Sequence, residues 1–90
     1  MKFKIKIGKD AIEILSSLPV KIQNQISKKI DMLAGDPRPK ASLPLRSDPT
    51  KRRIRSGDYR IIYEVHDKEI FVLVVHIGDR KDVYKYFDRK

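Results

Sequence analysis

Residues 69–77 are the part of this sequence that most restricts how the chain can fold. They are nearly all apolar and rich in β-branched side chains, and the turn-forming stretch His66-Asp67-Lys68 precedes them. A short, continuous apolar run of this kind is typical of a strand that lies inside a sheet and is covered on both faces. Gly78 follows and is expected to end this strand. The rest of the chain must therefore supply a sheet and the elements that cover it.

In the first 35 residues the spacing of apolar side chains changes once, from every second residue to helical spacing. Residues 2–7 alternate lysine with Phe or Ile, which predicts a half-buried strand at a sheet edge. Apolar side chains then recur at helical spacing, which predicts short amphipathic helices over residues 11–18 and 20–34. Pro19 separates the two helices and Gly35 is expected to end the second. The apolar stripe of the second helix consists of Ile22, Ile26, Ile30 and Leu33.

The remaining residues predict a loop and further strands. Residues 36–50 hold four prolines and are expected to form a loop, with Leu43 and Leu45 reaching the core. Strands are predicted over residues 51–55 and 59–65, and the element type of residues 79–90 stays open between strand and helix. The whole chain, residues 1–90, is thus one α+β domain with the order β-α-α-β-β-β, a helix hairpin packed on a mainly antiparallel sheet.

Composition restricts the function classes. There are 21 Lys and Arg against 12 Asp and Glu, a net charge of +9, which favours a polyanionic partner such as nucleic acid. The sequence has no cysteine and two histidines, so no metal site or other cofactor is expected. No apolar run approaches the roughly 20 residues of a membrane span, and the basic N-terminus does not resemble a signal peptide. A cytoplasmic protein without membrane contact is expected.

Basic residues cluster between Lys51 and Arg60. Because side chains alternate along a strand, Lys51, Arg53 and Arg55 should share one face. Arg60 joins that face if the connection to the next strand spans four residues, and falls with Ile54 if it spans three. The cluster fits either a solvated strand face or a phosphate-binding surface.

Two segments carry a resemblance to a known family. Residues 53–65, RIRSGDYRIIYEV, and residues 74–84, VVHIGDRKDVY, closely resemble the RelE family of toxins from toxin–antitoxin systems, within the RelE/ParE superfamily. The helix pair and the segment from Leu33 to Pro37 match as well, so that the resemblance covers nearly the whole chain. It implies a RelE-like fold.

The resemblance also implies a function. Such toxins are ribosome-dependent endoribonucleases that cleave mRNA in the ribosomal A site by attack of the RNA's own 2′-hydroxyl, without a metal, and so inhibit translation. A RelB-like antitoxin holds them silent. Carried over by position, the catalytic set is Lys51, Arg53, Arg60, Arg80 and Tyr84, and the further RNA-binding residues are Arg52, Arg55 and Lys81.

Two positions depart from the family pattern. Arg53 stands where RelE has a second lysine, and because arginine is effectively never deprotonated, Arg53 is interpreted as a charge stabiliser. Lys51 is then the candidate base, with a pKa expected to be lowered by the crowded cations. Asp79 replaces a histidine found in many relatives; an acid there could orient Arg80 or weaken activity. The alternative functions are a ParE-like gyrase-inhibiting toxin and a non-catalytic RNA- or ribosome-binding module.

Overall fold

The computed structural model describes residues 2–79. These residues form two helices and five strands, which confirms the α+β class and adds one short strand inside the proline-rich segment. The elements in chain order are β1 (Lys4–Ile7), α1 (Lys9–Ser17), α2 (Val20–Gly35), β2 (Leu43–Pro44), β3 (Lys51–Ser56), β4 (Tyr59–His66) and β5 (Phe71–Asp79).

The five strands make one mixed sheet in the order β1-β5-β4-β3-β2. β1 pairs with β5 in parallel, and the other three pairings are antiparallel, so the sheet is mainly antiparallel as predicted. β1 lies at one edge, where its lysines discourage pairing with another chain.

The apolar run lies inside the sheet, between β1 and β4, but two details of its prediction are wrong. β5 begins at Phe71 and continues through Gly78, which pairs with Arg60, because a glycine keeps both backbone groups that a ladder needs. β5 is also not buried on both faces. Val72 and Val74 are buried, whereas the neighbouring Leu73 remains partly exposed.

Both helices cover the same face of the sheet. Ile26, Ile30 and Leu33 of α2 are buried and pack with Ile61 and other strand residues in the main core, which confirms the predicted apolar stripe. The helices run within one or two residues of their predicted bounds, joined only by Leu18 and Pro19. Neither helix in the described part of the chain is long and apolar enough to cross a membrane.

The proline-rich loop is attached to the sheet at two points, one on each face. Leu45 is buried and packs on Ile62 and Val75, on the face that the helices leave uncovered. Leu43, also expected to reach the core, is instead 52% exposed. The Tyr63 hydroxyl donates a hydrogen bond to the Pro37 carbonyl at 2.8 Å and holds the start of the loop. The loop therefore has a fixed position beside β3.

Candidate active site

The basic cluster forms a cleft on the face of the sheet opposite the helices. Three arginines line it together with two small or apolar side chains from the loop, and its volume is about 180 Å³. The lining residues are Arg53, Arg55, Arg60, Ala41 and Leu43. Drug-sized ligands occupy pockets of roughly 300–1,000 Å³, so this smaller, cationic cleft suits a phosphate group and its immediate surroundings.

The β3–β4 turn decides which residues enter the cleft. Ser56 pairs with Tyr59 and the turn residues are Gly57 and Asp58. Gly57 has a φ of 60°, the conformation that a type II′ hairpin requires at its first central position. Four residues therefore separate Arg55 from Arg60, and the first of the two registers left open by the sequence is the observed one.

This register places two positively charged side chains next to each other. Arg55 and Arg60 stand directly opposite each other, and like charges at facing positions destabilise a strand pair. The Arg55 Nε donates a hydrogen bond to the Gly57 carbonyl at 2.9 Å, which directs its guanidinium toward the turn. Within residues 2–79, the Arg60 guanidinium has no carboxylate partner. An anion bound in the cleft would offset the repulsion.

Lys51 extends the cationic face along β3, but it is paired with acids. Its Nζ lies 2.8 Å from Asp48 Oδ2 and 3.3 Å from Glu64 Oε2. The hydrogen bond to Asp48, assisted by Glu64, raises the pKa of Lys51 above its usual value. The expectation that crowded cations lower this pKa is therefore wrong, because carboxylates and not arginines are the nearest charges. A raised pKa favours the protonated ammonium form of Lys51.

Arg52 faces the other way. Its position on β3 places it on the opposite side of the strand from Arg53. The Arg52 Nε donates to the Ser42 hydroxyl at 3.1 Å, and its Nη2 donates to the Ser42 carbonyl at 3.3 Å. The structure thus brings Arg53, Arg55 and Arg60 together and directs Arg52 to the start of β2.

Three residues of the sequence-based site lie outside the described part of the chain, namely Arg80, Lys81 and Tyr84. The described chain ends at Asp79, which pairs with Tyr59, and the preceding Gly78 pairs with Arg60. Within residues 2–79 no group of three histidine or acidic side chains is arranged to hold a metal ion.

Sequence reasoning missed two residues that the structure places beside the cleft. Asp48 and Glu64 carry the contacts to Lys51, and neither was singled out in the sequence. The signal for Glu64 was present in the register, since a pairing that aligns Arg55 with Arg60 also aligns Lys51 with Glu64. Asp48 lies in a loop and gives no periodic signal.

Comparison with known proteins agrees with this architecture. The family described as the ParE toxin of type II toxin–antitoxin system, parDE, matches residues 4–84. A RelE-like toxin protein of Escherichia coli is 32% identical over 87 residues, which cover 93% of this chain and 92% of the relative. The mRNA interferase toxin RelE of Escherichia coli is 30% identical over 88 residues, with the same coverage of 93% and 92%.

Solved structures give the same result. A mutant of the E. coli toxin RelE in the free state superimposes with a TM-score of 0.78 at 28% identity, covering 94% of this chain and 93% of that one. The archaeal RelE–RelB complex from Pyrococcus horikoshii gives a TM-score of 0.77 at 28% identity, covering 89% and 97%. With the sheet, the helix pair and the cationic cleft all in place, the chain belongs to the RelE/ParE superfamily of type II toxin–antitoxin toxins and is a member of its RelE branch.

Proposed function

We propose that this toxin is an endoribonuclease that cleaves mRNA in the A site of the ribosome by attack of the 2′-hydroxyl on the adjacent phosphate, and so inhibits translation. The observation that carries the proposal is the cleft that Arg53, Arg55 and Arg60 line on one face of the sheet. Two relatives that cover nearly the whole chain are named mRNA interferases. Because ribosome-bound mRNA is the proposed substrate, the cytoplasm is the proposed place of action.

The proposed catalysis is mainly electrostatic. The 2′-hydroxyl oxygen forms a bond to phosphorus while its proton passes to water, and the resulting phosphorane carries more negative charge than the starting phosphate. Fixed cations stabilise that charge. The phosphorane collapses to a 2′,3′-cyclic phosphate as the P–O5′ bond breaks and O5′ takes up a proton from water. Arg60 and Arg53 are assigned this role, with Arg55 as a phosphate contact. Arginine donates two parallel hydrogen bonds to phosphate oxygens, and its position on a strand limits reorganisation during the reaction.

The other proposed site residues lie beyond Asp79. Arg80 is proposed to stabilise the phosphorane or assist the departing 5′-oxygen, Tyr84 to position a nucleotide, and Lys81 to contact RNA. Lys51 is proposed as a fixed cation in place of a base, because its neighbours raise its pKa. Arg52, bonded to Ser42 on the other side of β3, is proposed to act on RNA only through the loop that it holds.

A RelB-like antitoxin is the proposed partner. Similar toxins of Escherichia coli, Pyrococcus horikoshii and Methanococcus jannaschii have been solved as RelB–RelE complexes. The net charge of +9 would accelerate association with an acidic antitoxin segment. Expression of the toxin alone should arrest growth. Co-expression with the neighbouring antitoxin gene should yield a stable complex and restore growth.

The test of the nuclease is cleavage of mRNA on programmed ribosomes. Purified protein should generate new 5′ ends at the A-site codon, and the same mRNA without ribosomes should be cleaved far less. A parallel gyrase supercoiling assay should show no inhibition. Supercoiling inhibition without new mRNA ends would overturn the proposal.

A further inference from the structure

The Lys51 ammonium is held from two directions by side chains outside the arginine cleft. Asp48, in the loop before β3, contacts Nζ at 2.8 Å, and Glu64, opposite Lys51 on β4, contacts it at 3.3 Å. The Lys51 side chain is only 22% exposed and that of Glu64 only 24%, so water weakens this contact less than it would on an open surface.

Each carboxylate is itself fixed. The second oxygen of Glu64 lies 2.9 Å from His66 Nε2, and the His66 ring stacks on Phe71 with centroids 4.4 Å apart. Asp48 accepts hydrogen bonds from the backbone N–H and the hydroxyl of Thr50. The two acids are therefore anchored before they meet the lysine, which is what a positioning arrangement requires.

The arrangement uses part of the hydrogen-bonding capacity of Lys51. An ammonium group has three N–H donors. One donates to Asp48, and the ion pair with Glu64 at 3.3 Å leaves donor capacity for another acceptor. A lysine without such contacts is a flexible side chain that loses rotamer freedom when it binds a phosphate, whereas here much of that freedom is already lost.

The two acids also reduce the positive potential beside the cleft. Carboxylates beside an RNA-binding surface weaken its attraction for the phosphate backbone, so RNA binding alone does not explain Asp48 and Glu64. Their presence has a cost in RNA affinity, and their contacts point to a benefit in the position of the Lys51 ammonium. If the two acids position Lys51, removing either one should lower the cleavage rate. If they only reduce the positive potential, removing either one should strengthen RNA binding without lowering the rate.

We propose that Asp48 and Glu64 are positioning residues that hold the Lys51 ammonium beside the arginine cleft, so that it meets the RNA phosphate as an oriented cation. This proposal rests on the proposed nuclease function. Asp48 and Glu64 act through Lys51 and do not touch the substrate. Removal of either acid should lower the rate of cleavage on the ribosome even though it raises the net charge of the protein.

The experiment measures single-turnover cleavage and RNA affinity for Glu64→Gln and Asp48→Asn. Misplacing a catalytic group by about 1 Å can cost on the order of 100-fold, so a fall in cleavage rate of about 10- to 100-fold is expected, with equal or tighter RNA binding. Glu69→Gln is the matched control, because it removes the same charge from an exposed turn position. Circular dichroism checks that each variant folds, and the two variants supply independent tests.

A double-mutant cycle separates positioning from a purely structural role. In a Lys51→Ala background, Glu64→Gln should have no further effect on cleavage, since the residue that it positions is gone. An unchanged rate in the single variants, or an equal loss in the Lys51→Ala background, overturns the positioning role while leaving the nuclease intact. Absence of cleavage by the wild-type protein overturns the proposed function and this proposal with it.

Discussion

Arg55 stands directly opposite Arg60 in the β3–β4 ladder, so two cationic side chains occupy facing positions on one side of the sheet. Like charges at directly opposite positions destabilise a strand pair. Departures from local stability rules are expected at functional sites, where the ligand supplies the missing interaction. An anion that binds between these arginines would provide that interaction here.

Arg60→Gln tests whether Arg60 contributes to catalysis. Loss of one donor to a developing oxyanion typically costs on the order of 100–1000-fold in rate, so cleavage on programmed ribosomes should fall by that factor. The free energy of unfolding should stay equal or rise by up to about 0.5 kcal/mol, because the facing repulsion disappears. Lys28→Gln removes the same charge from an exposed position on α2 and should change neither measurement. A variant that retains full activity would contradict the site.

Inorganic phosphate tests the cleft without any nuclease assay. A ligand that binds only the folded protein stabilises it, and at several times its Kd the gain is on the order of 1 kcal/mol. For a domain of this size that gain corresponds to a rise in Tm of about 4–8 °C. Sodium chloride at matched ionic strength should give a smaller shift. Arg60→Gln should lose most of the phosphate-specific part, and equal shifts in both proteins would contradict a phosphate site.

The fold was predictable where the hydrophobic period was long. The stripe of α2, with Ile26 and Ile30, spans several turns, and both residues are buried as expected. The ends of β5 were not predictable, because they depend on pairing with β4 and not on local preference. Gly78 remains in the ladder opposite Arg60, and Ile70 belongs to a turn although its side chain is typical of strands.

For the basic residues within residues 2–79, the sequence left one question open, the register of the β3–β4 hairpin. The sequence shows that Lys51, Arg53 and Arg55 share a face, but a change of one residue in the turn would move Arg60 to the helix side. Once Gly57 fixes the turn, Arg60 enters the cleft and Glu64 arrives opposite Lys51. The pKa of Lys51 was therefore mispredicted, because the sign depends on a neighbour that only the register reveals.

Tyr63→Phe tests how firmly the proline-rich loop is attached. Tyr63 is fully buried, and its hydroxyl donates to the Pro37 carbonyl at 2.8 Å. Removing the hydroxyl leaves that carbonyl without this donor, which should lower the free energy of unfolding by about 1–2 kcal/mol in urea titrations. Hydrogen exchange should increase at Ser42, whose backbone N–H donates to Pro39 in the same loop. Unchanged stability would show that water replaces the hydroxyl without penalty.

Asp48 should contribute an acid-dependent part of the stability. The hydrogen bond from Lys51, together with those from Thr50, lowers the pKa of Asp48 to about 2. A lowered carboxyl pKa stabilises the folded state above the unfolded pKa, near 3.8, and that contribution disappears as the pH falls through about 2. The stability difference between wild type and Asp48→Asn should therefore be full at pH 5–6 and shrink between about pH 4 and 2. In a Lys51→Ala background this pH dependence should be much weaker.

Ile70→Asn tests a strained residue in the turn between β4 and β5. Ile70 has a φ of 58°, a left-handed conformation that is a genuine outlier for a β-branched residue. The conformation has a structural use, because the Ile70 carbonyl accepts a hydrogen bond from the Lys4 backbone N–H at 3.0 Å and so begins the pairing of β1 with β5. The strained conformation of Ile70 thus lies where the edge strand β1 joins the sheet.

Two opposed effects determine whether Ile70→Asn raises or lowers the free energy of unfolding. A left-handed conformation costs roughly 1–2 kcal/mol for a residue with a Cβ, and asparagine tolerates it better than isoleucine. Ile70 is only partly buried, so the lost apolar contact offsets part of that gain. Ile70→Asn should therefore be at least as stable as the wild type, with a gain of up to about 1 kcal/mol in chemical denaturation. Ile12→Asn, at a partly exposed position of ordinary φ in α1, should be destabilising, and a similar loss at Ile70 would show that its packing outweighs the strain.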